Sequence, residues 1–201
     1  VDSLFLEVHH RAQVVEHSDE LEAVHGVSCE AGDGLDDDHV DLVGAQRLHR
    51  VHEALALHRG GGAEKFLYDL LLAQSKDHDV RVVNILNPGN MDYIDGCKNS
   101  GIQVYDIKSK KYSLRGLFRL VKYIKNENPD IIHVHLFPAL YYMAIAKMLS
   151  GVNVRLVYTE HHTTNRRRGI KIFKYIDSWI YSKYDKVFAI SEQVALSIKN
   201  Y

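Results

Sequence analysis

An α/β fold is predicted for residues 60–201, with a parallel sheet wound in both directions and helices on both faces. Three observations predict it. Short β-branched runs alternate with longer runs whose apolar residues recur at helical spacing. Gly, Pro and Asn punctuate the joins. A glycine-rich turn, Gly60-Gly61-Gly62, opens the first helical run. Strands alternating with helices form parallel βαβ units, and open sheets of this kind bind ligands beyond the carboxyl ends of their strands.

The elements follow in order. Ala63 to Ser75 reads as a helix, with Phe66, Leu67, Leu70 and Leu71 on one face. Val80 to Leu86 is short and β-branched, a strand, and Asn87-Pro88-Gly89-Asn90 turns the chain after it. Met91 to Lys98 reads as a short helix before Gly101, and Ile102 to Ile107 as a second strand. Leu114 to Asn126 is a helix facing inward through Leu117, Leu120, Val121 and Ile124, and Pro129 forbids its continuation. Asp130 to His135 is a third strand, and Pro138 to Leu149 an apolar helix closed by Gly151. Val154 to Thr159 is a fourth strand. Ile170 to Tyr184 is a helix expected to bury Ile172, Phe173, Ile176, Trp179 and Ile180. Lys186 to Ile190 is a fifth strand, and Ser191 caps a helix that begins at Glu192. The pattern is Rossmann-like, with one strand missing. Nothing before Gly60 reads as a strand feeding the glycine turn, since His49 to Arg59 reads as helix or coil. Poor folding is therefore expected.

Composition divides the chain at the same place. Residues 1–59 contain 4 Arg, no Lys and 13 acidic residues, a balance of about −9, and 8 of the 13 histidines. Residues 60–201 contain 14 Lys, 7 Arg and 13 acidic residues, about +8. The first segment has no Lys, Ile, Asn, Tyr, Thr, Pro or Met, whereas the second has 14 Ile, 9 Asn and all 12 Tyr. Most of the missing residues have AT-rich codons. Our hypothesis is a different reading frame or DNA source for residues 1–59, and abundant intact 1–59 peptide in cells would count against it. Ala45 to Leu57 could form an amphipathic helix through Leu48, Val51 and Leu55; otherwise the segment is expected to be disordered or loosely helical. His49 and His52 stand at i, i+3 without Cys partners or a second ligand pair, so no metal site is expected.

Bulk properties narrow the class. The two cysteines, Cys29 and Cys97, fit no metal or disulfide framework and point to a reducing compartment. The N-terminus has no signal-peptide pattern, and the longest apolar stretch, Leu136 to Leu149, is too short to cross a bilayer. The chain is expected to be cytoplasmic. A dehydrogenase would need a strand and GxGxxG spacing that Gly60-Gly61-Gly62 lacks.

Five motifs now stand in order: Gly60-Gly61-Gly62-Ala63-Glu64-Lys65-Phe66, Asp79 to Val83, Pro129 to His135, Tyr158-Thr159-Glu160-His161-His162, and Asp185 to Glu192. Together they resemble the amino-terminal domain of the group 1, or family 4, retaining glycosyltransferases over residues 60–201. The resemblance implies half of a GT-B fold. It implies transfer of a sugar from a nucleotide-sugar donor to a glycan or lipid-linked acceptor, with no cofactor, metal or nucleic acid. Gly61 and Gly62 match the loop near the donor phosphates, where backbone N–H groups and a helix dipole suit an anion. His135, at a carboxyl strand end, matches the histidine that contacts the transferred sugar and is the expected catalytic residue. His133 shares its face and is expected to be buried and structural. Glu160 and His161, with His162, are placed on the acceptor side of the cleft.

Basic residues with apolar neighbours, Arg166-Arg167-Arg168 with Lys171 and Lys174, and Lys108, Lys110, Lys111, Arg115 and Arg119, form either a solvated basic face or, as the resemblance implies, a surface for peripheral contact with an anionic membrane at its inner face. The donor-binding half of such enzymes lies in a carboxyl-terminal domain, and this chain stops at Tyr201 inside a helix of the first. Little or no transfer is expected from the chain alone. A non-catalytic Rossmann-like fragment or interaction module, from a broken or mis-assembled gene, is the rival reading.

Overall fold

The computed structural model describes residues 13–15, 49–56, 62–86, 91–163 and 169–200. The strands are β1 (Gln13–Val15), β2 (Arg50–Leu55), β3 (Asp79–Leu86), β4 (Gln103–Ser109), β5 (Ile131–His135), β6 (Arg155–Glu160) and β7 (Lys186–Ala189). The helices are α1 (Gly62–Gln74), α2 (Met91–Asn99), α3 (Leu114–Glu127), α4 (Ala139–Ser150), α5 (Lys171–Tyr181) and α6 (Glu192–Lys199). One sheet runs β1-β7-β6-β5-β2-β3-β4. β2 to β7 are mutually parallel, and β1 lies antiparallel on β7, with Gln13 opposite Ala189.

The expectation of a missing first strand is corrected here. Arg50–Leu55 is not a helix or coil but the central strand, paired on one side with β3 and on the other with β5. Strand alternation explains how so polar a segment can be extended and buried. Val51 and Leu55 point into a cluster with Leu67, Leu70 and Leu71 of α1, while Ala54 points into the larger cluster under α3 and α4. The strand is also tied at its start. Arg50 donates its backbone N–H to Asp130 at 2.9 Å and a guanidinium N–H to the Glu127 carbonyl at 2.9 Å. The sequence boundary at residue 59 therefore does not coincide with the edge of the fold, and the reading of residues 1–59 as disordered fails for Arg50–Leu55. The rest of that segment, apart from Gln13–Val15, His49 and Ala56, lies outside the described residues, as do Gly60, Gly61, the turn at 87–90 and the arginines at 166–168.

The remaining elements match the periodicity closely. Ser113 caps α3 by accepting from Gly116 N–H, and Asn128 ends it in the left-handed region at φ 42°, just before Pro129. Ser191 caps α6 by accepting from Val194 N–H. One helix face departs from expectation. α5 buries Asp177, Ile180 and Tyr181, while Ile172 and Trp179 remain 63% and 47% exposed.

Counting from β2, chain order moves outward first through β3 and β4, then crosses back to β5, β6 and β7. The order reverses between β2 and β5. That junction, at the carboxyl ends of the strands, is where an open α/β sheet binds its ligand.

Candidate functional site

The residues at the switch point are Glu53 and Leu55 on β2 and His133 and His135 on β5. Glu53 is opposite His133 in register, and Leu55 opposite His135. Alternation then aims Glu53, His133 and His135 to one face, where Thr159 of β6 joins them. All four are fully buried.

A continuous hydrogen-bond network satisfies them. His133 Nδ1 meets Glu53 Oε1 at 3.2 Å, and His135 Nε2 meets Glu53 Oε2 at 2.7 Å. His133 Nε2 meets Thr159 Oγ1 at 2.8 Å, and His135 Nδ1 meets His161 Nε2 at 3.2 Å. Burial pushes the Glu53 carboxyl up, but the His133 imidazole and the hydrogen bonds from both rings outweigh it and hold the group well below the usual carboxylate range. Burial lowers His135 well below an ordinary histidine, helped by His133, although Glu53 pulls the other way. A neutral His135 beside an ionised Glu53 is the state these forces favour.

The structure brings His135 and His161 together but gives them different exposure. His135 has no solvent contact, whereas His161 is half-buried and lies edge-on to Phe66 of α1, ring centroids 5.8 Å apart. His133 is buried as predicted. Glu160 is 3% exposed. It accepts from the backbone N–H of His161 and His162, each at 3.1 Å, and from the Tyr181 hydroxyl at 3.2 Å, so it fixes the loop that carries His161. Gly62 is the first residue of α1, four residues before Phe66; Gly61 lies outside the described residues. His49 and His52 do not converge. His49 lies beside His78, and His52 bonds the Tyr123 hydroxyl at 2.7 Å.

Glu53 escaped the sequence reading. Its nearest signal was position, since a doubly wound fold demands a strand before the glycine turn. One ligand atom from each of Glu53, His133 and His135 lies within 4.8 Å of the others, a set that a divalent ion could use. Each of those atoms is already engaged in the network above.

The family model of Glycosyltransferase Family 4 matches residues 60–201. The chain belongs to glycosyltransferase family 4. Solved structures give the same fold to this family 4 chain. It is similar to HepE from Anabaena in complex with UDP and glucose at 16% identity, with a TM-score of 0.52 over 68% of this chain and 36% of that one. It is likewise similar to a glycosyltransferase from Rickettsia africae, at 17% identity, with a TM-score of 0.51 over 67% of this chain and 35% of that one. The family 4 chain thus spans about a third of the length of these structures and corresponds to an N-terminal GT-B domain. A comparison with curated proteins gives no match. Among the described residues no helix is long and apolar enough to cross a membrane.

Proposed function

We propose that this domain forms the acceptor side of a sugar-transfer cleft, in which a sugar passes from a nucleotide-sugar to a glycan or lipid-linked acceptor with retention of configuration. The observation that carries the reading is the hydrogen-bonded Glu53–His135–His161 line, buried at Glu53 and His135, which ends at the carboxyl edge of the sheet's switch point. Gly62 supports it by starting α1 at that same edge, where helix N–H groups suit a phosphate. The UDP and glucose held by HepE support a nucleoside diphosphate as the leaving group. The residues of this domain orient and polarise; stabilising the departing diphosphate needs further preorganised donors.

The test uses a protein that carries this domain together with a donor-binding domain. His135→Ala there is expected to lower kcat/KM for transfer from UDP-sugars by about 10²-fold or more, the scale on which single preorganised groups act. Transfer at the wild-type rate by that variant would end the assignment of His135. The 201-residue chain alone is expected to transfer little or nothing, and ready turnover by it would show that this domain suffices.

A lipid-linked acceptor is supported by the character of the surface. Ile172, Tyr175 and Trp179 of α5 are 63%, 77% and 47% exposed, with Lys171 and Lys174 on the same helix and Lys183 5.2 Å from the Trp179 ring. Near the sheet's carboxyl edge, exposed Tyr112, Leu114 and Phe118 stand among Lys108, Lys110, Lys111, Arg115 and Arg119. Apolar side chains ringed by cations suit an anionic bilayer. Co-sedimentation with vesicles is expected to rise with the anionic lipid fraction and to fall in Trp179→Ala/Tyr175→Ala. Binding that ignores lipid charge would remove the membrane from the proposal.

A further inference from the structure

Both carboxylate oxygens of Glu53 are in use, one on each histidine of β5. An ionised carboxylate only accepts. The ring nitrogens that meet it, His133 Nδ1 and His135 Nε2, must therefore carry hydrogens. A singly protonated His135 then has its lone pair on Nδ1, and Nδ1 faces His161 Nε2 at 3.2 Å. His161 must in turn carry its hydrogen on Nε2. The polarity of the line runs from His161 through His135 to Glu53 and is set at its buried end.

We propose that Glu53 is a positioning residue of the proposed transfer site: its carboxylate fixes the tautomer of His135 and, through it, that of His161, and so sets which nitrogen of each ring accepts. This deepens the transfer-site reading and rests on it for the role of the site; the tautomers stand independently of it. Two features sharpen the assignment. Glu53 lies on β2, outside the residues 60–201 that match the family model, so the control comes from the strand next to the motif histidines. The second histidine does not compete for direction, because His133 Nε2 meets a hydroxyl, Thr159 Oγ1, which can either donate or accept.

That asymmetry designs the experiment. In Glu53→Gln the amide oxygen can keep accepting from His135 while its NH2 group faces His133, whose ring adapts through Thr159. In Glu53→Leu no acceptor is left. Nitrogen-15 spectra of imidazole-labelled 201-residue chain at pH 7.5, assigned with His135→Gln and His161→Gln, read the tautomers directly. We expect His135 and His161 to carry the hydrogen on Nε2 in the wild type and in Glu53→Gln, and both rings to become tautomer mixtures in Glu53→Leu. A structural role alone would change stability and leave the tautomers in place. The proposal is overturned if wild-type His135 carries its hydrogen on Nδ1, or if a folded Glu53→Leu keeps the wild-type tautomers at both rings. Should Glu53→Leu not fold, wild type and Glu53→Gln decide: Nε2–H at both rings in both proteins supports it, and Nδ1–H on His135 in either overturns it. Absence of sugar transfer by a two-domain protein with these tautomers intact would strike the function reading and leave the positioning role standing.

Discussion

Leu55→Ala and Ala54→Asp are each expected to destabilise the domain severely in urea titrations at pH 7.5. Both side chains are fully buried, in separate clusters on opposite faces of the sheet. Leu55→Ala removes packing against α1 and leaves a cavity, at a cost of about 2–5 kcal/mol. Ala54→Asp places a carboxylate without a partner among Val83, Ile132, Val134 and the helices over them, and should cost more than about 4 kcal/mol. A domain this size is stable by only about 5–15 kcal/mol, so Ala54→Asp should leave little cooperative unfolding to measure. The pair is diagnostic because of geometry. In the amphipathic helix that the sequence suggests for residues 45–57, one face alone would be apolar, centred on Leu48, Val51 and Leu55. A central strand has two buried faces, so adjacent residues both matter. A small effect at Ala54 with a large one at Leu55 would restore the helix and remove β2 from the sheet.

The same segment shows where sequence reading stops. From residue 62 onward the apolar period, the caps at Ser113 and Ser191 and the breaker Pro129 are local signals, and the elements they predict agree within a few residues. β2 has no such signal. Its Arg-Val-His-Glu-Ala-Leu carries three polar residues in six, and each is accommodated by a partner far away in sequence: Arg50 by Asp130, His52 by Tyr123, Glu53 by His133 and His135. A buried charge becomes legible only once its counterpart is placed. The histidines of the site were legible because strand position alone puts His135 at a carboxyl end. Their roles were less so. His161, expected on the acceptor side of the cleft, is bonded to His135, and Glu160, expected beside it, accepts from the backbone N–H of His161 and His162 and from the Tyr181 hydroxyl. The α5 face fails for a related reason. Helical spacing marks an apolar stripe but does not say what covers it, and most of this one is left exposed.

Stability should fall as pH drops from about 6.5, well before carboxylates ordinarily titrate. His52 is lowered to about 4, chiefly by burial and further by Arg81. His135 is lowered well below its ordinary value, again chiefly by burial. In the unfolded chain both titrate near 6.5. Above that pH both are neutral folded and unfolded, and their contribution is complete. Between about 6.5 and 4 the unfolded state holds the extra protons, so stability falls with decreasing pH, by up to about 1.4 kcal/mol per unit for each ring. His52 alone then accounts for about 3 kcal/mol over that window. Glu53 acts at lower pH with the same sign. Its carboxyl is held below its unfolded value, so its contribution is present above about 4.5 and is lost as pH falls through the folded value. The urea midpoint should therefore be level above pH 7, decline from 6.5, and keep declining below 4.5. His52→Gln, which has no titrating group, should be less stable at pH 7.5 because the Tyr123 hydroxyl loses its partner. It should also lose about one proton of slope between pH 6 and 5. A wild-type midpoint that stays level from pH 7 to 5 would mean that these histidines are not buried as neutral rings, and the network around Glu53 would have to be redrawn with solvent in it.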